Sequence, residues 1–490
     1  MKLKELLIGI DNYKIKGDEE IEISGIENNS KKVKPNSVFV AIKGFDFDGH
    51  KYVEEAIENG AIVLVLDMNA DLKSIKLPKG ITVVLTDNTR IALAKMACNF
   101  YQNPSRKFKL IGVTGTKGKT TTTYMIKSIL EKAGYKVGLI GTIANYIGDE
   151  IISESSRTTP ESLELQELFT KMAKSKVDYV VMEVSSQSLK LHRVDGSEFD
   201  MAVFTNFSKD HISLKEHPDM EDYFSSKERL FSMCMNGFAN ADDFKCERLI
   251  YDSKNCNIKT YSIDNSSNLI AKDITIKNSC VDFKVKIENK NERIKINIPG
   301  RYSVYNGLAA ISIANSIGID SEKIKEGLEN IVVPGRNELV PNDKGLTIMI
   351  DYAHTANSLE NILTSIKSYT TGRVICVFGC GGDRDKTKRP EMGEVAGRLA
   401  DFSIVTTDNP RTENPEDIIK DIEEGISKTK GNYKIVVNRK EAIEEAIKMM
   451  RKNDIVILAG KGHETYQEIN GVKHDFDERK IVKEILKEMK

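Results

Sequence analysis

The stretch Gly112–Thr120 reads G-V-T-G-T-K-G-K-T and lies between two patterns that predict different elements. The preceding run, Phe108–Val113, is apolar enough for a buried strand, and the residues from about Thr120 to Lys132 have the spacing of a helix. A strand that leads through a glycine-rich turn into a helix points backbone N–H groups at an anion. The stretch therefore predicts a phosphate-binding loop on a parallel, doubly wound α/β sheet.

The spacing of this loop departs from the commonest phosphate-binding pattern. Gly112 stands too early for G-x-x-x-x-G-K-[ST], so the match is to the variant G-T-x-G-K-T at Gly115–Thr120. Lys119 is expected on the β and γ phosphates of a nucleotide, and the Thr120 hydroxyl on Mg²⁺. A glycine-rich turn that contains a lysine by chance is the alternative, which the flanking strand and helix disfavour. The loop alone leaves GTPases, transport ATPases, kinases and ligases open.

Polar residues follow the next two predicted strands. Glu183 ends the strand Asp178–Val184, and the strand Met201–Phe204 is followed by Asn206, Asp210 and His211. Strand ends in such a sheet converge on the ligand crevice. A lone Glu or His is more often a surface or capping residue, but two at successive strand ends beside a phosphate loop favour Mg²⁺ coordination by Glu183 and His211.

Length and charge limit the remaining possibilities. The chain has 490 residues, which fits about three domains at ~150 residues each. Its 72 basic and 73 acidic residues give a net charge of −1, which favours neither nucleic acid nor a basic membrane-binding face. The 7 cysteines include no C-x-x-C pair, as expected for free thiols in a reducing compartment. With no signal peptide or membrane-length apolar run, the sequence predicts a cytoplasmic protein.

Turn signals divide the chain into three predicted domains, at 1–105, 106–333 and 334–490. In the first, a helix pattern at Tyr52–Asn59 stands among strand candidates at Val38–Ile42, Ala61–Leu66 and Ile81–Leu85. In the second, a helix around Glu161–Ala173 accompanies the two strands named above, residues 250–300 resemble antiparallel strands, and Tyr305–Ile317 is a helix. In the third, helices separate apolar strands at Thr347–Ile350, Val374–Phe378, Phe402–Thr406, Lys434–Val437 and Ile455–Leu458.

Five motifs in order resemble the Mur ligase family over about residues 25 to 480. They are G-T-K-G-K-T-T, M-E-V-S-S, T-N-F-S-K-D-H, M-E-D-Y-F-S-S-K and D-Y-A-H-T. The greatest similarity is to the members that add the third amino acid of the peptidoglycan precursor. The resemblance implies an α/β fold with a UDP-binding N-terminal domain, a central P-loop ATPase-like parallel sheet with a small β portion, and a Rossmann-like C-terminal domain.

The resemblance also implies the reaction and its central residues. ATP phosphorylates a carboxylate of the growing peptide, an amine attacks the acyl phosphate, and an amide forms in peptidoglycan precursor synthesis. Lys227 matches a lysine that the family carries as a carbamate able to hold Mg²⁺; its sequence context alone indicates a solvated helix residue. The implied catalytic residues are Lys119, Lys227, His211 and Glu183. The implied metal ligands are Thr120, Glu183, His211 and Lys227.

Substrate contacts follow from the same resemblance. The implied ATP contacts are Gly115, Thr116, Lys117, Gly118, Lys119, Thr120, Thr121, Asn306, Arg336 and Asp351. The implied contacts to UDP-MurNAc-L-Ala-D-Glu are Ser30, Thr158, Thr159, Ser185 and Arg193. The chain departs from the family in having Lys31 for Arg, Gln187-Ser188 for His-Ala or His-Gly, Leu191 for a Gln found in some members, Ser303 for Asn, and Ala356 for Pro.

The C-terminal domain is expected to select the amino acid. Gly379–Arg384 fails the dinucleotide pattern G-x-G-x-x-G because position 384 is Arg. The family resemblance instead implies amino-acid contacts at Arg384, Asp408, Asn409, Pro410, Arg411, Gly460 and Glu464. D-N-P-R accompanies meso-diaminopimelate in the family, and a guanidinium suits the second carboxylate that lysine lacks. An ordinary β-turn at D-N-P-R is the alternative.

Four other functions stay open at this point. A lysine-adding ligase of the same type, a paralogue with a modified precursor and a folylpolyglutamate synthase share the loop chemistry; the N-terminal segment and D-N-P-R disfavour the last. A P-loop nucleotide-switch protein predicts slow hydrolysis regardless of amino acid. The expected partners are small-molecule substrates, with no nucleic acid and no membrane, and a monomer is expected. ATP, Mg²⁺ and a CO₂-derived carbamate are the expected cofactors.

Overall fold

The computed structural model describes residues 1–45, 47–72, 75–288 and 290–489. Within these ranges the chain divides into two compact units: residues 1–268 with 309–318, and residues 269–308 with 319–490. No helix in the described ranges combines the length and apolar character needed to cross a membrane. The domain boundaries expected near residues 105 and 333 stay predictions.

The N-terminal part of the first unit is a mixed sheet with the strand order β1-β5-β4-β3-β2. All neighbours pair in parallel except β1 with β5. Its strands are β1 (Tyr13–Lys16), β2 (Gly25–Glu27), β3 (Ser37–Val40), β4 (Ala61–Asp67) and β5 (Thr82–Thr86). Its helices are α1 (Leu3–Leu6), α2 (Val53–Glu58) and α3 (Thr89–Phe100), with 3-10 turns at Ser30–Lys32, Gly49–Tyr52 and Pro104–Lys107.

A second sheet follows, with the order β14-β13-β12-β11-β6-β10-β7-β8-β9, and its strands β6 to β13 belong to the same unit. Its strands are β6 (Lys109–Thr114), β7 (Val137–Ile140), β8 (Ala144–Ile147), β9 (Glu150–Glu154), β10 (Tyr179–Glu183), β11 (Met201–Phe204), β12 (Asn236–Asn240), β13 (Asn257–Ser262) and β14 (Leu269–Ile270). Its helices are α4 (Lys119–Lys132), α5 (Ser162–Lys174), α6 (Ser186–Lys190), α7 (Met220–Glu228) and α8 (Cys246–Asp252), with a 3-10 turn at Arg229–Ser232.

The central strands of this sheet are both parallel and buried. β6, β10 and β11 pair in parallel, and almost every residue in them is buried, as expected for strands covered by helices on both faces. The carboxyl ends of these strands therefore meet at one edge. That edge carries the phosphate loop after β6 and Glu183 at the end of β10.

The remaining elements contain one antiparallel sheet and one largely parallel sheet. The antiparallel sheet comprises β15 (Lys272–Ile276), β16 (Val281–Ile287) and β17 (Lys290–Ile296), followed by α9 (Arg301–Ser316) and α10 (Ser321–Glu329). The other sheet has the order β18-β19-β23-β20-β21-β22. Its strands are β18 (Glu338–Leu339), β19 (Thr347–Asp351), β20 (Val374–Phe378), β21 (Phe402–Val405), β22 (Tyr433–Ile435) and β23 (Ile455–Ala459).

Helices flank this last sheet, and a separate hairpin stands near the end of the chain. The helices are α11 (Ala356–Lys367), α12 (Lys388–Leu399), α13 (Pro415–Ile426), α14 (Arg439–Lys448) and α15 (Glu478–Glu488). The hairpin is β24 (Tyr466–Ile469) with β25 (Val472–Asp475). The α/β class predicted from the sequence is confirmed.

The prediction of antiparallel strands throughout residues 250–300 is partly wrong. Its first part contains the end of α8 and then β13, which pairs in parallel with β12. β13 lies towards the margin of its sheet and is only partly covered, so its half-exposed residues alternate as they do in an antiparallel strand. The remainder, β15 to β17, is antiparallel as predicted.

Candidate active site

The phosphate loop links β6 to α4, as predicted. Gly115 and Gly118 have φ of +143° and +86°, a region that favours glycine. A Cβ on Gly115 would overlap the Thr205 hydroxyl. Gly118 is the N-cap residue directly before α4. The glycines therefore let the backbone turn closely against β11 and open the N-terminus of α4 towards an anion.

Asn206 fixes the shape of this loop. Its backbone carbonyl accepts from Thr116 N–H at 2.8 Å, and its side-chain oxygen accepts from Lys117 N–H at 3.0 Å. The Asn206 amide also donates to the Lys117 carbonyl at 3.0 Å. The Lys117 ammonium pairs with Asp210 at 2.9 Å. The residues that follow β11 thus hold the loop from the side opposite Glu183.

Glu183 is buried at the strand ends, where its relative exposure is 1%, and its carboxylate accepts several hydrogen bonds. Its carboxylate accepts from the Thr120 hydroxyl at 3.0 Å and from the Thr142 N–H and hydroxyl at 2.9 and 3.1 Å. The Thr142 hydroxyl lies 3.1 Å from that of Thr158. Carboxylate and hydroxyl oxygens are the donors that Mg²⁺ prefers, so Thr120 and Glu183 fit such an ion.

Lys119 and Lys227 meet on the loop backbone. Lys119 Nζ donates to the Gly115 and Thr116 carbonyls at 2.9 and 3.0 Å, and Lys227 Nζ donates to the same Gly115 carbonyl at 2.9 Å. Lys227 is 1% exposed. Burial, reinforced by the charge of Lys119, holds the pKa of Lys227 well below its usual value. The Lys227 amine is therefore suited to remaining neutral, which makes it a nucleophile.

His211 lies apart from Glu183 in the described structure. It is a partly exposed residue with φ of +56°, and its Nδ1 pairs with Glu216 at 2.9 Å. Across the described ranges, no group of three or more His, Cys, Asp or Glu side chains is placed to hold a metal. The structure thus joins Thr120 with Glu183, but not with His211. The metal role of His211 stays a prediction.

Thr159, Ser185 and Arg193 form a hydrogen-bonded group beside the Glu183 backbone carbonyl. The Thr159 hydroxyl donates to the Glu183 carbonyl at 2.9 Å and accepts from Ser185 N–H at 3.0 Å. Arg193 pairs with Glu161 at 3.0 Å and donates to the Thr159 carbonyl at 3.4 Å. Burial lowers the pKa of Arg193, with Glu161 opposing the shift. A half-satisfied guanidinium in this position is available to a substrate carboxylate or phosphate.

Ser30 lies on the 3-10 turn between β2 and β3 of the N-terminal sheet, and not in this cluster. Its hydroxyl donates to Glu55 at 2.5 Å. A cavity of about 650 Å³ in the same sheet is shaped by His50, whose Nδ1 lies 2.7 Å from Asp48 and whose Nε2 accepts from Asp67 N–H at 3.1 Å. The cavity is lined by Lys43, Asp48, His50, Lys51, Val53, Glu54, Asp67, Asn69, Ala70, Asp71, Ile75 and Thr89.

The second unit carries the other nucleotide candidates. Asp351, at the end of β19, accepts from Asn337 N–H at 2.8 Å, and burial raises its pKa although Arg336 opposes the shift. The Arg336 guanidinium stacks over the Tyr352 ring, 4.9 Å from the centroid. Asn306 is a buried residue of α9. Arg336 and Asp351 thus lie close to each other, and their contact with a nucleotide stays a prediction.

The D-N-P-R segment forms a connected polar site in this unit. Arg411 has φ of +51°, donates to the Gly382 carbonyl at 2.7 Å and pairs with Glu468 at 3.2 Å. The Asn409 side chain donates to Glu464 at 2.8 Å. A left-handed backbone at a bulky residue costs about 1–3 kcal/mol and is retained mainly at functional positions.

Gly460 and Lys461 complete this polar site. Gly460 has φ of +113°, and a Cβ there would lie 2.6 Å from the Asp408 carboxylate. Lys461, fully buried, donates to Asn409 at 3.0 Å and pairs with Glu464 at 3.3 Å. Arg384 is an exposed residue outside these contacts. Six of the seven predicted amino-acid residues therefore lie on adjoining segments, with Arg384 beside them on the loop after β20.

Family models match three consecutive parts of the chain. They describe a Mur ligase family catalytic domain at 22–101, a Mur ligase middle domain at 113–314 and a Mur ligase glutamate ligase domain at 335–462. The chain belongs to the Mur ligase family. Members of this family are ATP-dependent ligases that form amide bonds, so the chain is identified as an enzyme of this class.

Similar proteins agree with this placement over the whole chain. A UDP-N-acetylmuramoyl-L-alanyl-D-glutamate–2,6-diaminopimelate ligase of Caldanaerobacter subterraneus subsp. tengcongensis is 51% identical, with 100% of this chain and 99% of the relative covered. A ligase of the same description from Clostridium acetobutylicum is 48% identical, with 100% of both covered. A solved structure of such a ligase matches with a TM-score of 0.71 and 28% identity over 99% of both chains.

Two site residues were missed by sequence reasoning. Thr142 follows β7, a short strand that was not predicted, although its position at a strand end beside Glu183 is a usable signal. Lys461 directly follows the predicted contact Gly460, and its burial could not be read from the sequence. Both are polar residues at the carboxyl edge of a parallel sheet, where Mur ligase substrates are expected.

A buried ion pair lies next to the D-N-P-R segment, with Arg439 4.0 Å from the Asp408 carboxylate. Arg439 and Glu478 are both fully buried and 2.8 Å apart, and Arg439 also donates to the Ala459 carbonyl at 2.9 Å. We expect Arg439→Ala to lower the free energy of unfolding by about 3–5 kcal/mol, because Glu478 is left buried and unpaired. Urea denaturation measures this loss. Arg398→Ala, which breaks the exposed pair with Glu360 at 3.0 Å, is the control and should cost less than about 1 kcal/mol.

Proposed function

We propose that this Mur ligase adds meso-diaminopimelate to the D-glutamate of UDP-MurNAc-L-Ala-D-Glu, using ATP. The single observation that carries this choice is the ordered D-N-P-R segment, in which Arg411 is held by Gly382 and Glu468. Diaminopimelate differs from lysine by a carboxylate, and a planar guanidinium binds a carboxylate through two hydrogen bonds. Relatives that are named for this activity, 51% and 48% identical, support the same choice.

The chain's own residues mainly position reactants and neutralise charge. The phosphate loop and Lys119 bind the β and γ phosphates of ATP, and Arg336, Asp351 and Asn306 bind the remainder of the nucleotide. Phosphorylation of the D-glutamate carboxylate supplies the leaving group that a carboxylate lacks at neutral pH. The amine then attacks the acyl phosphate, a tetrahedral intermediate forms, and phosphate leaves. Lys119 stabilises charge on the phosphoryl oxygens, as in other phosphoryl transfers.

Thr120 and Glu183 are the residues that would hold Mg²⁺, with His211 as a further candidate. Their hydroxyl and carboxylate oxygens lie 3.0 Å apart at the buried strand ends. When bound, Mg²⁺ supplies positive charge to the phosphate oxygens. Thr142 keeps the Glu183 carboxylate oriented through its N–H and hydroxyl.

Lys227 is proposed to carry a carbamate. Carbamate formation joins the neutral amine to CO₂ and releases one proton. Burial and the charge of Lys119 lower the pKa of the Lys227 amine and so favour its neutral form, which supports this modification. The modified group would be an anion beside Lys119 and the phosphate loop. The carbamate would supply an additional oxygen ligand for Mg²⁺.

The sugar–peptide substrate is assigned to the first unit. Thr158, Thr159 and Ser185 present hydroxyls beside Glu183, and Arg193 provides a guanidinium for an anionic group. Ser30 and the cavity around His50 are proposed to receive the UDP part. Lys43 and Lys51 at that cavity suit a diphosphate.

The amino acid is assigned to the second unit. Arg411 and Arg384 would bind carboxylates, and Glu464, aided by Asp408 and Asn409, would accept from the distal ammonium. Pro410 and Gly460 shape the site. The enzyme is proposed to act as a monomer in the cytoplasm, on small molecules, without nucleic acid or membrane.

The test is phosphate release and product mass with UDP-MurNAc-L-Ala-D-Glu, ATP and either meso-diaminopimelate or L-lysine. We expect turnover with diaminopimelate that is at least about 100-fold more efficient than with lysine, since lysine lacks the carboxylate that Arg411 would bind. Preference for lysine would overturn the amino-acid assignment. Phosphate release that ignores both co-substrates would favour a nucleotide switch, and glutamate addition to folate would favour folylpolyglutamate synthesis.

A further inference from the structure

His217 is a fully buried residue that the proposed mechanism does not use. Its Nδ1 lies 2.6 Å from an Asp222 carboxylate oxygen, and its Nε2 lies 2.9 Å from the Ser186 hydroxyl. A carboxylate only accepts hydrogen bonds, so Nδ1 carries the ring proton and donates. Burial lowers the pKa of His217, against the opposing effect of Asp222. The neutral ring then accepts from the Ser186 hydroxyl through Nε2.

The two partners belong to different substrate-binding segments. Ser186 opens α6 directly after Ser185, whose N–H is bonded to Thr159. Asp222 lies in the first turn of α7, the helix that carries Lys227 in its last turn. The imidazole therefore bridges the end of β10, beside the sugar–peptide candidates, to the helix that positions Lys227.

A third contact reaches the phosphate loop. The His217 ring packs 4.9 Å from the Tyr223 ring, and the Tyr223 hydroxyl donates to the Thr116 hydroxyl at 3.2 Å. Lys227 Nζ lies over the same Tyr223 ring, 4.4 Å from its centroid. Tyr223 thus contacts both the phosphate loop and Lys227, and the His217 ring packs against the Tyr223 ring.

We propose that His217 is a positioning residue for the ligase reaction. It fixes α7 to the end of β10, and so keeps Lys227 and the phosphate loop aligned with the D-glutamate carboxylate. This inference rests on the proposed function. Ser186, His217 and Asp222 form the hydrogen-bond chain of a hydrolytic triad, but Ser186 is buried, with a relative exposure of 5%, so a substrate has no access to its hydroxyl. The group therefore acts through the segments that it joins, and not as a nucleophile.

Three variants separate the two hydrogen bonds. His217→Asn can keep the donor to Asp222, His217→Gln can reach Ser186, and His217→Leu loses both. We expect His217→Leu to lower kcat about 10- to 100-fold, because small misplacements of reacting groups have effects of this size. The KM for diaminopimelate should stay within about twofold, because its proposed binding residues lie in the second unit. His217→Asn should recover most of kcat, since the bond to Asp222 anchors α7.

A matched pair elsewhere in the same unit provides the control. His192 Nδ1 lies 2.7 Å from Asp195, and φ of His192 is +58°, which asparagine tolerates. His192→Asn should leave kcat within about twofold of the wild type. Equal losses in His192→Asn and His217→Leu would overturn the inference, and so would a folded His217→Leu enzyme with wild-type kcat. A loss confined to the His217 variants, reversed by Asn, would support it.

Two further measurements keep the outcome decisive. If His217→Leu does not fold, Ser186→Ala removes the weaker bond of the bridge and should still lower kcat about 3-fold; unchanged kcat would then overturn the proposal. A wild-type enzyme without turnover on any of the substrates would instead refute the proposed function. Active wild type with normal His217 variants would refute this inference alone.

Discussion

Replacing Lys227 with alanine should reduce turnover by about 100- to 1,000-fold, the size of effect expected when a charge-stabilising group is lost from an active site. The side chain is 1% exposed and shares the Gly115 carbonyl with Lys119. A short carboxylic acid such as formate fits the space that alanine leaves and replaces the anion that the carbamate would supply. We therefore expect formate to restore part of the lost phosphate release.

Two other variants at the same position sharpen this result. Lys227→Met fills the space with an uncharged side chain, so it should be inactive and resist rescue. Lys227→Arg keeps a positive charge, but a guanidinium does not become neutral and cannot take up CO₂ in this way. It should be inactive as well. Full activity of Lys227→Arg would show that a permanent cation suffices, which contradicts the carbamate.

The modification also has a readout that is independent of activity. Protein equilibrated with carbon-13 bicarbonate should show a carbamate signal that is lost in Lys227→Met. The lowered pKa of the Lys227 amine, which burial causes, predicts that modification needs less alkaline conditions than it does for an exposed lysine. A missing signal in active wild-type enzyme would contradict the assignment.

The phosphate loop is the part of the molecule that local sequence determines most completely. An apolar strand, a glycine-rich turn and a helix start are neighbours in sequence, so the prediction needed no distant contacts. The structure has β6 and α4 at the predicted places, with positive φ at Gly115 and Gly118. The α/β class was predictable for the same reason, because strand and helix patterns alternate along most of the chain.

Other features depend on contacts between distant segments and could not be predicted. Lys227 has the local context of a solvated helix residue, yet it is buried because α7 packs against the phosphate loop. Thr142 follows a four-residue strand too short to show periodicity, and its bond to Glu183 spans separate segments. His211 lies seven positions past the end of β11 and pairs with Glu216, so the convergence of strand ends does not by itself determine its partners.

Replacing Arg411 should change which amino acid is preferred more than any other single substitution in the second unit. Arg411→Asn is the appropriate truncation, because asparagine tolerates the left-handed backbone at this position, where φ is +51°. We expect kcat/KM for meso-diaminopimelate to fall about 100-fold, equivalent to ~2.7 kcal/mol. The value for lysine should fall much less, because lysine has no second carboxylate to lose a partner. Competition between the two amino acids measures the ratio directly.

This ratio separates recognition from folding, because both amino acids are measured on the same protein and any inactive fraction cancels. Arg411→Lys should give an intermediate loss, since an ammonium keeps the charge but not the paired geometry. Glu468→Gln is the matched control: it removes the carboxylate 3.2 Å from Arg411 while leaving the guanidinium and its bond to Gly382 in place. It should leave the ratio nearly unchanged. An equal fall for both amino acids in Arg411→Asn would mean that D-N-P-R is a structural turn, and the selection of diaminopimelate would then have to rest on Arg384 instead.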